Sequence, residues 1–379
     1  ELNDKTLTAN LTNNVTGATY CTTTSNICTP STSASISNNS YTVELQENEN
    51  KQMVCTRLNG TSKIICSEPM IATRITNFQE LIASKNLATR TDFTTTVTED
   101  TTGTIYYADT SKGRTYYFAG NPTDNWVRFG GFYWRIIRIN EDGTLRLIYQ
   151  GTAANTTGTN TQIQTRAFNS SYYNNNAGVG YMYQSNQVHG LTTNSTIKGI
   201  LDTWYQNNLT SVADKIDGNA GFCGDRQPST SSSSSNGSGG TGSTQTYYGA
   251  YIRLYGNNKA PTFECQNESD LYTTSGSEQG NKALTYPIGL ISLDEAWYAG
   301  GYQTANSNYY LYTGQYYWTL SPGSFGSGWA IVFRVNSVGA LGDDGVNYSY
   351  GVRPVINLKA DVTISGGNGT SDSPYVIAT

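Results

Sequence analysis

Histidine occurs once in the chain, at position 189, and that scarcity removes most schemes in which imidazoles hold a metal or relay protons. Charge is scarce as well. Only 13% of the 379 residues are Asp, Glu, Lys or Arg, and their sum of −5 gives no electrostatic case for a nucleic-acid partner. No apolar run reaches the roughly 18 residues of a transmembrane helix, so no membrane-spanning segment is expected. His189 lies in an Asn- and Gln-rich stretch with no acidic, Cys or His cluster beside it in sequence. A general base needs an oriented partner, and on that ground His189 reads as a loop histidine.

What fills the chain instead is glycine (39 residues), tyrosine (29 residues) and abundant Thr, Ser and Asn. Thr and Tyr suit pleated strands and Gly, Asn and Ser suit turns, which is the profile of a β-rich extracellular protein. The spacing of the six cysteines suggests local pairs, Cys21 with Cys28, Cys55 with Cys66 and Cys223 with Cys265. Six cysteines admit many connectivities, so the pairing stays open at this level. None of the three pairs forms a CxxC motif, and an even count in a low-charge chain favours disulfides in an oxidising compartment. The start at Glu1 fits either a mature product whose export signal has been removed or a trimmed chain.

Residues 1–69 read as a small β-module. Tyr41 to Leu45 alternates apolar with polar, and Arg57 to Cys66 reads as a hairpin turning at Asn59-Gly60. With few large apolar residues, this module needs its two disulfides as staples. A helix is expected over 77–85, with Thr76 as its cap and Gln79 at capping-box spacing. An antiparallel meander follows: strands at 103–108, 114–120, 126–129, 132–139 and 144–149, turning at Gly130-Gly131 and at Asn140 to Gly143. Residues 151–190 read mostly as loop. Ile197, Ile200, Leu201 and Trp204 carry the spacing of an amphipathic helix, and Glu295 to Ala299 that of a shorter one. The Ser/Gly-rich stretch 227–246 sits between Cys223 and Cys265 and reads as an inserted loop bridged at its base. Residues 361–379 read as a terminal hairpin that completes a sheet or docks on a neighbouring subunit.

The closing segment is the most informative. Aromatic and β-branched anchors, Tyr316 to Pro322, Phe333-Arg334-Val335 and Gly351 to Leu358, frame an interior rich in permissive turn residues. Trp318 to Leu358, with Gly130 to Ile139 and Pro287 to Ala296 upstream, resembles the C-type-lectin-like fold of bacterial surface proteins. That group includes the variable proteins of diversity-generating retroelements and is related to formylglycine-generating enzymes. The resemblance spans roughly residues 104 to 360. It implies a mixed α+β, β-rich chain in which a C-type-lectin-like domain, residues 70–360, follows the disulfide-stapled β-module, with a helix packed on the sheet. It also implies binding through loops in residues 321–350.

On that basis the expected ligand-binding residues are Phe325, Ser327, Trp329, Ser337, Leu341, Asp344 and Tyr348. Aromatic side chains in a permissive frame offer large contact area at low entropic cost. Alternation along a strand sends Ile331, Phe333 and Val335 inward, and Trp329 shares their parity. Asp343-Asp344-Gly345 reads as a β-turn, with Ca²⁺ held by these carboxylates, Asn336 and Asn347 as the single cofactor candidate. The Glu-Pro-Asn and Trp-Asn-Asp signatures of calcium-dependent eukaryotic lectins are absent. Formylglycine-generating relatives work through cysteines, yet Cys223 and Cys265 read better as a structural bridge than as reactive thiols. Arg353-Pro354 reads as a structural lock in which Arg353 meets a buried carboxylate or carbonyl. The Asn-x-Ser/Thr triplets, of which Asn347 begins one, mark surface loops only if the chain meets a glycosylating pathway.

The expectation is therefore a non-catalytic protein, secreted or on the bacterial cell surface, that binds a protein or glycan ligand. Its alternative is a structural subunit of an extracellular filament, sheath or surface layer assembled by strand addition.

Overall fold

The computed structural model describes residues 75–229, 245–256 and 259–378, together with the backbone of seven short strands between Thr6 and Ile71. The chain divides into two compact units, Glu1–Arg74 and Ile75–Thr379. Composition had drawn that boundary at 69/70.

In the smaller unit an antiparallel sheet runs in the order Thr6–Ala9, Thr19–Thr24, Ile27–Pro30, Ile64–Cys66, Lys51–Arg57, Ser40–Glu44, and Met70–Ile71 also pairs with Lys51–Arg57. Thr-rich strands with β-branched partners make this sheet. Cys55 stands opposite Cys66 in the register. The expected Asn59-Gly60 turn and the side chains of Cys21, Cys28, Cys55 and Cys66 lie outside the described residues.

The larger unit is mixed α+β and β-rich. Its meander forms as the turn residues dictate: Trp126–Phe129 pairs with Phe132–Ile139 across Gly130 and Gly131, both at positive φ, and Phe132–Ile139 pairs in turn with Leu145–Gly151. These strands belong to a nine-stranded sheet. Its far edge is the terminal hairpin, Ile364–Gly366 and Tyr375–Ile377, whose second strand runs parallel to Trp126–Phe129 with Val127 opposite Tyr375. Of the two roles open to the hairpin, the described one is completion of its own chain's sheet.

The first helix, Phe78–Ala83, buries Phe78, Leu81 and Ile82. Its cap lies one residue beyond the Thr76 that spacing suggested. Asn77 accepts the Glu80 N–H, while the Glu80 carboxylate reaches back to the Thr76 N–H and hydroxyl. The long helix, Thr196–Asn208, is capped by Ser195 and buries Ile197, Leu201 and Tyr205. Trp204 packs its ring on Phe132, Trp134 and Tyr149, which lays this helix against the meander. No helix among the described residues is long and apolar enough to cross a membrane.

A second, six-stranded sheet carries the closing segment in the order Gln164–Ala167, Ser349–Val352, Tyr317–Gly326, Trp329–Val335, Leu341–Gly345, with Thr246–Tyr247 also on Tyr317–Gly326. Two expectations change here. Gln164–Ala167 is a strand inside a region read as loop, and residues 321–350 form strands joined by tight turns more than they form loops. Asp343 and Asp344 are strand residues, and the turn follows them, closed by the Tyr348 N–H on the Gly345 carbonyl.

The core of this unit is continuous and aromatic, with Trp134, Trp297 and Trp318 fully buried. Arg353 is buried with them and donates to the Tyr149 and Leu311 carbonyls and to Gln150 Oε1. Those acceptors are the carbonyl lock expected of it.

Candidate functional site

Register builds a groove on one face of the second sheet. Tyr247 stands opposite Ser324, Ser324 opposite Ile331, and Ile331 opposite Gly345, so four strands send one row to the same face. The next row pairs Gly326 with Trp329. Glycine at 326 leaves the floor open beside the indole, while Asn347 and Tyr348 pack over Gly345. Together with Gln245, Ser327, Asp343, Asp344, Asn347 and Tyr348, these residues enclose about 520 Å³. That is within the range of small-ligand sites, about 300–1,000 Å³.

Trp329 is 44% exposed and Tyr348 55%, the two most exposed aromatic side chains among the described residues. Trp329 is backed by Tyr173, with ring centres 5.5 Å apart and planes at 29°. Tyr348 stacks nearly parallel on Tyr350, which stacks on Tyr316. Both exposed rings are thus held in place by other rings, so a ligand meets surfaces already ordered.

The strand carries two adjacent carboxylates on opposite sides, Asp343 in the groove row and Asp344 opposite Val332. Asp344 Oδ2 accepts Arg334 Nε at 2.8 Å and the Tyr350 hydroxyl at 2.9 Å. Burial, reinforced by that bond, pushes the Tyr350 phenol up to about 12. Asp343 faces the groove side, where burial raises its carboxyl above the ordinary range although Arg334 pulls the other way.

Four of the seven expected binding residues meet in this groove: Ser327, Trp329, Asp344 and Tyr348. Three do not. Phe325 lies in the row between Thr246 and Ala330, which faces the core, and is 1% exposed. Leu341 shares the groove face but pairs with Val335 at its covered end and is buried. Ser337 sits in the turn beyond Val335, with the seven-residue strand between it and Ser327. The parity assigned to Trp329 is right and its expected burial is not. Tyr251 and Tyr255 cover that face at Phe333, whereas at Trp329 the stacked ring is Tyr173 and the indole stays 44% exposed.

Gln245 was missed because it falls in the stretch 227–246 read as a loop, and Tyr247, one residue beyond, because no strand was read there. The folded body reaches further in than expected: the Ser229 N–H bonds the Tyr247 carbonyl, and Pro228 bridges to Tyr248. The signal was the β-prone run Thr246-Tyr247-Tyr248.

A second concavity, of about 320 Å³, has closed ion pairs in its walls. Arg253 is bidentate to Asp294 and also bonds Asp225, while Glu295 takes both Arg138 and Arg146. The Ser292 and Ser321 hydroxyls accept the backbone N–H groups of Glu295 and Leu293. Cys223 and Cys265, in the same wall, are bonded to each other.

His189 has the partner that sequence proximity did not reveal. Its Nδ1 stands 3.0 Å from Asp270 Oδ1, and its Nε2 lies 3.3 Å from the Asn267 amide. Burial raises Asp270, but His189 and Arg226 outweigh it and hold the carboxyl below its ordinary range. Asp270 is remote in sequence and comes near through the fold around the Cys223–Cys265 bridge.

Among the described residues no group of three or more His, Cys, Asp or Glu side chains gathers to hold a metal. Asn336, one of the oxygens considered for Ca²⁺, accepts the Val338 and Ala340 N–H groups of its own turn. Comparison with known proteins adds no relative: no protein family, no curated protein and no solved structure matches the chain.

Proposed function

We propose that the chain is a non-catalytic binding protein, secreted or displayed on a bacterial cell surface. Its larger unit has a C-type-lectin-like architecture and holds a protein or glycan ligand in the sheet-face groove. One observation carries this reading: Trp329 and Tyr348, the most exposed aromatic rings, border the same groove and are fixed there by stacked neighbours. Exposed aromatics that are already ordered dominate binding energy where they occur. The low charge, the Thr- and Asn-rich composition and the Cys223–Cys265 bridge fit an oxidising, extracellular setting. The resemblance of Trp318 to Leu358 to lectin-like surface proteins points the same way.

The test is a screen of the purified chain against bacterial and host surface glycans and proteins, run beside Trp329→Ala. A ligand retained by the wild type and weakened about tenfold or more by Trp329→Ala is expected, the size of an aromatic anchor's loss. A ligand bound equally by both places recognition elsewhere.

A second reading, the structural subunit, draws on the smaller unit. Thr6–Ala9 and Ser40–Glu44 each pair on one side only among the described residues, which leaves edges suited to strand addition. Ordered polymers in electron micrographs of the purified chain would favour it, and a dispersed species would not.

A further inference from the structure

We propose that the groove takes a saccharide that is neutral or carries an amine, and rejects acidic saccharides. This inference rests on the groove being the ligand site. It follows from what the face of a sheet presents. The backbone N–H and C=O groups of paired strands lie in the plane of the sheet, so a ligand on the face meets side chains alone. A peptide strand binds by backbone pairing at an edge, and this face does not provide that pairing.

The side chains present suit a sugar ring. Trp329 is backed on one side by Tyr173, and its exposed surface is a flat apolar plate for the C–H face of a pyranose. Around it stand acceptors and amides for ring hydroxyls: Asp343, Asn347 and Gln245, with the Ser324 and Ser327 hydroxyls. The floor beside the indole is open at Gly326, where an added Cβ would find its nearest neighbour 3.8 Å away.

Charge then decides among saccharides. Among the described residues no Lys or Arg lines the groove. The nearest guanidinium, Arg334, is committed to Asp344 at 2.8 Å and lies over the Tyr316 ring, 5.1 Å from its centre. Asp343 faces the groove and has no direct ion pair among the described residues, Arg334 acting on it through space while bonded to Asp344. A uronic or sialic carboxylate placed here would meet like charge while the nearby Arg334 is already paired with Asp344, and an ammonium group would be attracted.

The experiment is isothermal titration of the full chain with three kinds of probe. The first is a set of neutral hexasaccharides of glucose, mannose or N-acetylglucosamine, the second a chitosan hexamer, and the third an oligogalacturonate hexamer. Wild type, Trp329→Ala and Asp343→Asn are compared. The expected result is binding of the chitosan or a neutral hexamer, weakened about tenfold or more by Trp329→Ala, the loss typical of an aromatic anchor. Asp343→Asn should weaken the chitosan hexamer more than any neutral one, and oligogalacturonate should not bind. Tighter binding of oligogalacturonate than of the neutral probes overturns the inference, as does failure of every saccharide to bind. If every saccharide fails while a surface protein binds in a Trp329-dependent way, the inference falls and the groove survives as the ligand site. Saccharide binding that ignores Trp329 removes both.

Discussion

Asp225 holds a strongly perturbed carboxyl. It is 5% exposed and at φ 45°, with Oδ2 on Arg253 and Oδ1 without a hydrogen-bond partner. Burial pushes it up to about 6 from 3.8; Arg253 opposes that shift, and Asp294 and Asp270 add to it. The folded state therefore holds this proton more tightly than the unfolded chain. Its contribution to stability is fully present below 3.8 and is lost as pH rises towards about 6. Asp225→Asn should remove that slope, a change on the order of 3 kcal/mol across the window. Urea unfolding of both proteins from pH 4 to pH 7 checks it, and parallel curves would count against it. At this scale the sequence was partly legible. Alternation placed Phe333 and Val335 inward correctly, and Tyr251 and Tyr255 cover Phe333 there. It misjudged Ile331, which is only partly buried and lines the groove, and Trp329, because parity fixes a face and says nothing of where the cover ends. Phe325 was misassigned for a simpler reason: its own parity, opposite Ala330, already pointed inward.

Among the elements, the six-residue helix Leu293–Tyr298 is too short to be stable alone and depends on its anchors. Glu295 supplies two of them. Its Oε2 accepts the Ser292 N–H in a capping box, and its Oε1 takes Arg138 and Arg146 from two strands of the nine-stranded sheet. Burial pulls Arg146 down to about 10, against the attraction of Glu295. Glu295→Gln keeps an acceptor for the cap and removes the charge that both guanidiniums share. It should cost about 3–5 kcal/mol, the usual loss when a buried ion pair is broken from one side. Chemical unfolding measures this, and a loss under about 1 kcal/mol, that of a surface pair, would contradict it. Hairpins and amphipathic helices were legible because their signals are local: Gly130-Gly131, and the apolar stripe from Ile197. The strand Gln164–Ala167 was not, because its pairing with Ser349–Val352 is the only reason it is a strand.

For the whole molecule, the site is a product of distant segments. Gln245 and Tyr247 reach the groove only because Thr246–Tyr247 pairs with Tyr317–Gly326, a contact no local pattern announces. The Ser324 to Tyr348 part of the groove was visible in the sequence as a framed, glycine-rich run, and four of its residues were named there. His189 and Asp270 were invisible as a pair for the same reason that Gln245 was: topology joins them, and spacing does not.

The most direct measurement is the affinity of Gly326→Leu beside wild type for the ligand found in the screen. Position 326 has ordinary backbone geometry and no neighbour closer than 3.8 Å to an added Cβ, so the leucine fills the groove without disturbing the sheet. Stability should stay within about 0.5 kcal/mol of wild type, as for other surface substitutions. Affinity should fall about tenfold or more, the loss expected when an anchor's contact is blocked. Unchanged affinity in a protein of unchanged stability would mean that the groove is not where this chain binds.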